Sequence, residues 1–136
     1  SKKNFMNTKL NQILAEISAG ELLDKITILE IKKEKIKDRE KLKDIDKELL
    51  SLTTTSNEKI PDKSKVEHLV KNLKKINFKL WDIEEGKRIA EKEKKFDDDF
   101  IKLSREVYMT NDERAKIKLK INQILGSNIK EVKSHY

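Results

Sequence analysis

Gly20-Glu21-Leu22-Leu23-Asp24-Lys25-Ile26-Thr27-Ile28-Leu29-Glu30-Ile31-Lys32 is the stretch whose reading decides the fold. Leu22, Ile26 and Leu29 recur at three- and four-residue spacing, the period of a helix that buries one stripe. A solvent-facing helix keeps its charges off that stripe. Here acids and a lysine stand next to it and partly inside it. Charges so placed need partners within the fold, because a buried charge persists only when it is paired and hydrogen-bonded.

Reading outward, the helical period predicts a first long helix over residues 19–52. Its stripe is Leu22, Ile26, Leu29 and Ile36, then Leu42, Ile45, Leu49 and Leu52. Lys33 takes a stripe position, and the phase slips between Ile36 and Leu42. Thr53-Thr54-Thr55-Ser56-Asn57 ends this helix in the prediction, and Pro61 marks a loop. A second helix opens at Ser64 and carries Val66, Leu69, Leu73, Ile76, Leu80, Ile83 and Ala90 in a heptad-like seam that Lys87 interrupts. A loop of about ten residues between two long helices implies an antiparallel hairpin. Gly86 costs its helix roughly 1 kcal/mol relative to alanine. It is read either as a tolerated glycine or as a place of close approach.

The pattern breaks at Lys94-Lys95-Phe96-Asp97-Asp98-Asp99, where the acids suit the first turn of a third helix through its dipole. That helix carries Phe100, Ile101, Leu103, Val107 and Tyr108. A fourth, from Asn111 to Leu125, presents Ile117, Ile121 and Ile124 before Gly126 supplies a stop. Three capping boxes, Ser18-x-x-Glu21, Ser64-x-x-Glu67 and Thr110-x-x-Glu113, mark helix starts. The expected fold is all-α: a long antiparallel helical hairpin with two shorter C-terminal helices packed on one end. Residues 1–17 form an N-terminal segment, 18–125 a single helical bundle domain, and 126–136 a polar tail that docks or frays. In the first segment Ile13, Ala15 and Ile17 alternate like a strand, while Leu10, Ile13, Leu14 and Ile17 fit a helix.

Composition narrows the function classes. With 42% charged residues, 35% apolar, three Gly and one Pro in 136 residues, the chain has the profile of long helices in one thin bundle. The absence of Cys excludes disulfides and thiolate chemistry and agrees with a reducing, cytoplasmic setting. No run of apolar residues is long enough to span a membrane, and no apolar signal core follows the basic N-terminus. The formal charge of +7 would suit polyanions, but acids interleave with the lysines, so nucleic acid is the disfavoured partner. Only four arginines occur, Arg39, Arg88, Arg105 and Arg114. Their bidentate fork makes them the better candidates for specific pairing.

The common catalytic motifs are missing: there is no phosphate-cradling glycine loop, no histidine metal spacing and no nucleophilic triad. His68 and His135 stand alone in their segments, and no metal or cofactor is expected. Closing the predicted hairpin places Glu30 near Lys87 and Arg88, and Lys33 near Glu84, with Trp81 a turn away. Arg105, Tyr108, Asn111 and Arg114 from the C-terminal helices complete a polar cluster. The candidate ligand-binding set is therefore Glu30, Lys33, Trp81, Glu84, Arg88, Arg105, Tyr108, Asn111 and Arg114. Such a cluster either recognises a carboxylate or phosphate or locks helix register. Asn77 shares a helical face with Trp81, which anchors the core or covers a pocket.

The 20–32 segment, the Asn77 to Arg88 block with Leu80-Trp81-Asp82-Ile83-Glu84, and Val107-Tyr108-Met109-Thr110-Asn111-Asp112-Glu113-Arg114-Ala115-Lys116-Ile117-Lys118 together resemble a bacterial domain family of unknown function. The resemblance covers most of residues 13–136, including Gly126-Ser127 and Glu131-Val132-Lys133-Ser134. Gly86-Lys87 departs from it, standing where a less flexible pair is expected. Its polar blocks map onto Glu21, Asp24, Lys25, Glu30, Lys33, Asn77, Trp81, Glu84, Arg88, Arg105, Tyr108, Asn111, Asp112 and Arg114. The resemblance implies a setting near glycosyltransferases in surface-polysaccharide loci, and no reaction.

Two functional readings follow. The first is a helical interaction module accessory to that machinery, with a protein partner (a glycosyltransferase) or self-association as a homodimer through an exposed part of the Val66–Ile83 seam. The second is a small all-α enzyme or binding protein for an anionic metabolite, a sugar phosphate, sugar nucleotide or carboxylate.

Overall fold

The computed structural model describes residues 9–134, and four α-helices lie among these described residues: α1 Ala19–Lys35, α2 Arg39–Lys59, α3 Glu67–Glu93 and α4 Asp98–Leu125. Among the described residues there is no strand, so the expectation of an all-α chain holds at that level. No described helix is long and apolar enough to cross a membrane. Of residues 1–17, read as strand or helix, residues 9–17 form neither, and residues 1–8 lie outside the described residues.

The expected first long helix is two helices. Ile36 leaves the helical region (φ −88, ψ 134), and Asp38 restarts the chain as an N-cap. The Asp38 Oδ1 accepts the backbone N–H of Glu40 at 2.9 Å and of Lys41 at 3.2 Å. The phase slip between Ile36 and Leu42 is this break. Beyond it α2 doubles back, so that Lys33 pairs with Asp46 at 3.0 Å. Its end also differs from expectation, because the threonine run stays helical. The hydroxyls of Thr54 and Thr55 donate to the carbonyls of Leu50 and Ser51 at 2.8 and 3.1 Å, which satisfies them inside the helix. Termination waits for Ile60, held off the helical conformation by Pro61.

The expected pair of C-terminal helices is one continuous helix, α4. Thr110 is buried in its middle, so Thr110-x-x-Glu113 marks no start. Asp97 is the true cap and accepts the N–H of Phe100 at 3.2 Å, with Asp98 and Asp99 in the first turn as the dipole favours. Of the other two boxes, Ser18 caps α1 by accepting the N–H of Glu21 at 3.0 Å. Ser64 opens only a 3₁₀ turn before α3 and turns its hydroxyl to Asp62 at 2.6 Å.

These breaks change which faces meet. Leu23 of α1 shares the core with Val66, Leu69 and Leu73, at the start of α3. One turn on, Thr27 meets Asn77 at 2.9 Å, so α1 and α3 run in the same direction. Against α4 the order reverses: Gly20 meets Asn122, and Asp24 meets Arg114. α1, α3 and α4 thus form the packed unit, while α2 lies close to the backbone of α1 alone. The expected closure of residues 19–52 onto 64–90 is not seen, because the 36–38 turn reverses the chain first.

The core is Leu23, Val66, Leu69, Leu73 and Ile121, flanked by Ala19, Ile26, Ile117 and Leu125. Burying such side chains contributes about 1.5–3 kcal/mol each. Val66, Leu69, Leu73 and Ile83 of the expected seam are buried, while Ile76 and Leu80 are half-buried. Gly126 ends α4 in the left-handed conformation (φ 64), with the N–H of Ser127 reaching the Asn122 carbonyl at 2.9 Å. The tail then docks: Ser127 Oγ accepts the N–H of Ala19 at 3.1 Å, and Ser18 donates to Glu131.

Gly86 is a place of modest close approach. A Cβ there would stand 3.2 Å from Cδ1 of Leu103, the end of a half-buried and movable side chain. Removing a mid-helix glycine gains about 1 kcal/mol, so Gly86→Ala is expected to be neutral or to stabilise by up to that amount. Urea unfolding measures it; a loss above about 1 kcal/mol would show instead that Leu103 is locked, as overpacking costs typically begin there.

Candidate functional site

Asp24 is fully buried and is the centre of the polar structure. It sits one position past Leu22-Leu23, on the side of α1 that turns between α3 and α4. Its Oδ1 accepts Nε of Arg114 at 3.0 Å and Nδ2 of Asn77 at 2.9 Å. Its Oδ2 accepts Nη2 of Arg114, making the pair bidentate, and Lys118 Nζ lies 3.8 Å away. Asn77 also donates to Thr27 Oγ1, and Thr27 donates to the Asp24 carbonyl at 2.8 Å. Lys118 pairs in turn with Glu21. Each helix of the packed unit supplies at least one member.

The hydrogen bond to Asp24 holds the Arg114 guanidinium above its ordinary pKa, outweighing partial burial. A raised pKa contributes stability that is complete below the unfolded value and lost only as pH climbs through the folded one. For arginine both lie far above neutrality, so arginine titration gives this pair no pH dependence near neutrality.

Above the network lies an open groove of about 460 Å³. Ile28 and Ile31 of α1 face Leu80 and Trp81 of α3 across it. Buried Asn77 and part-buried Arg114 are its base, and the exposed Glu84, Glu85 and Arg88 its rim. Among the described residues Arg88 makes no ion pair with either glutamate.

Of the nine candidate residues, Trp81, Glu84, Arg88 and Arg114 share this groove. Asn111 supports it by accepting Nη1 of Arg114 at 3.4 Å. Glu30 and Lys33 do not join. Glu30 approaches Lys74 at 3.9 Å and Lys33 pairs with Asp46, because α1 runs parallel to α3 and the expected level pairing with Lys87, Arg88 and Glu84 is lost. Glu30 instead lines a second groove, of about 520 Å³, with Lys71 and Lys74. Arg105 and Tyr108 are exposed on α4. Among the described residues no group of three or more His, Cys, Asp or Glu could hold a metal ion. His135 lies outside the described residues.

The nine-residue candidate set left out Asp24, Thr27, Lys118 and Asn122, although Asp24 stands among the polar positions of the family resemblance. Asp24 had a signal, an acid set within Leu22-Leu23 and Ile26. Lys118 and Asn122 had none, since a lysine on a lysine-rich helix looks like solvated surface.

The sequence pattern of one family matches residues 13–136. The chain belongs to that family, DUF6165, a family of unknown function. No curated protein and no solved structure matches it. The family match takes in the whole Asp24 network and every residue of the groove.

Proposed function

We propose that the chain is a helical interaction module whose buried polar groups serve to fix helix register. The observation that carries this is the closure of the network on itself. Both Asp24 oxygens are taken by Arg114 and Asn77, with Lys118 close by, so the strongest charges in the bundle are already partnered. Buried, satisfied polar layers are well suited to specifying one packing out of several.

What faces water is apolar to an unusual degree in places. Leu10, Ile13 and Leu14 are 85%, 80% and 81% exposed, and Ile89, Phe96 and Ile101 near the α3–α4 turn are more than half exposed. Single exposed apolar residues are ordinary, whereas grouped ones favour a partner surface. The polysaccharide setting implied by the resemblance makes a glycosyltransferase the first protein partner to try, with a homodimer as the alternative.

The test is association. Light scattering over a concentration series, and titration with the candidate transferase, are expected to show a complex that Leu14→Glu or Ile89→Glu weakens at least tenfold. The melting temperature should move little, because both residues are exposed and surface changes stay within about ±0.5 kcal/mol. A chain that stays monomeric and unbound throughout would overturn the reading.

A further inference from the structure

We propose that the Trp81 groove binds a small zwitterion, an α-amino acid with an apolar or aromatic side chain. The inference goes beyond the interaction reading and does not depend on it. Its starting point is the charge left over once the network is closed. Arg114 is neutralised by Asp24, so the groove's free charges are Glu84, Glu85 and Arg88, side by side within one turn of α3. A purely anionic ligand would meet two carboxylates and one available cation, an arrangement that repels as much as it attracts. A ligand carrying both signs satisfies all three.

Spacing narrows the class. Glu84 and Arg88 are four residues apart on α3, about 6 Å along the axis. The ligand's opposite charges must therefore lie close together, as an ammonium and a carboxylate on one carbon do. Glu84 and Glu85 take the ammonium. Arg88 takes the carboxylate through the planar fork suited to it. The remaining volume is apolar: Ile28, Ile31, Leu80 and the Trp81 ring offer a side chain hydrocarbon and an aromatic face. A groove of about 460 Å³ is of the size that holds one small molecule.

Trp81 is the only tryptophan, so its fluorescence reports this groove alone. The full chain is titrated with L-phenylalanine, L-leucine and L-methionine, then with 3-phenylpropionate and phenethylamine, which lack the amine and the carboxylate. A saturable change is expected with at least one of the three amino acids. Each single-charge analogue is expected to bind about tenfold more weakly than L-phenylalanine, one charged hydrogen-bonding group being lost. In E84Q/E85Q the penalty for losing the amine should vanish, and in R88Q the penalty for losing the carboxylate. All three positions are exposed, and circular dichroism confirms that the variants fold. No saturable response to any of the three amino acids overturns the proposal. So does 3-phenylpropionate binding as well as L-phenylalanine, which would make the groove an anion site.

Discussion

Replacing Arg114 with methionine is expected to cost about 3–5 kcal/mol of unfolding free energy, the usual result of breaking a buried ion pair from one side. The change leaves the Asp24 carboxylate in the interior with Asn77 as its remaining direct hydrogen-bond donor. Lys118, 3.8 Å from Oδ2, compensates in part, which places the expected loss toward the lower end. Most of that loss is the penalty of an unpaired charge rather than the worth of the pair. Adding Asp24→Asn removes the charge while keeping the shape and an acceptor for Asn77. The double variant should therefore recover about 1–2 kcal/mol of the deficit, since neutralised buried pairs are tolerated far better than broken ones. Urea unfolding of the wild type, R114M and R114M/D24N measures both numbers. A loss under about 1 kcal/mol in R114M, the range of exposed pairs, would mean that water reaches Asp24 and that the network locks nothing.

Gly20→Ala should be nearly as damaging, although alanine is the better helix former. A Cβ at position 20 would lie 2.5 Å from the Lys118 backbone carbonyl oxygen and 2.8 Å from Asn122 Oδ1. Backbone cannot step aside as a side chain can, so α1 and α4 must part. Their separation also strains the hydrogen bond from the Gly20 N–H to Asn122 Oδ1, 2.6 Å long. Overpacking of this kind costs typically 1–3 kcal/mol, and the lost hydrogen bond about 1 more. Against this stands at most about 1 kcal/mol of helix propensity. The net expectation is a loss of about 1–3 kcal/mol in urea unfolding. Gly86→Ala, opposite a movable leucine, is the matched control. Equal behaviour of the two variants would mean that α1 and α4 part at no cost.

Element type was legible because it depends on local period. The stripe of Leu22, Ile26 and Leu29, the seam from Val66 to Ile83 and the stop at Gly126 each follow from side-chain spacing or from backbone freedom at one residue. The mixed character of residues 20–32 also announced a buried charge, and Asp24 is one. Boundaries were less legible. Asp38 is a capping acid in a run of lysines and acids, and nothing local distinguishes it from its neighbours until Ile36 turns away. Thr110-x-x-Glu113 has the letters of a helix start but sits where tertiary packing buries the threonine inside α4.

The site suffered most, since its reading rested on the direction of α1 relative to α3. Asn77, Trp81, Glu84 and Arg88 needed only their own helix to fall together, and they do. Glu30 and Lys33 needed the correct pairing of two helices and were misplaced when the 36–38 turn reversed the chain. Arg114 joined the site through a partner, Asp24, ninety positions away.

The sequence by itself determined that this chain is helical, where apolar stripes run, and that a charge beside Leu22-Leu23 must be answered within the fold. Those properties belong to neighbouring residues and to the helical period. Only the tertiary structure decided that α1 lies parallel to α3, that Gly20 touches the backbone of α4, and that Arg114 rather than Arg88 or Arg105 answers Asp24. Those outcomes depend on which of several comparably apolar faces pack together, and a three-residue turn selects among them.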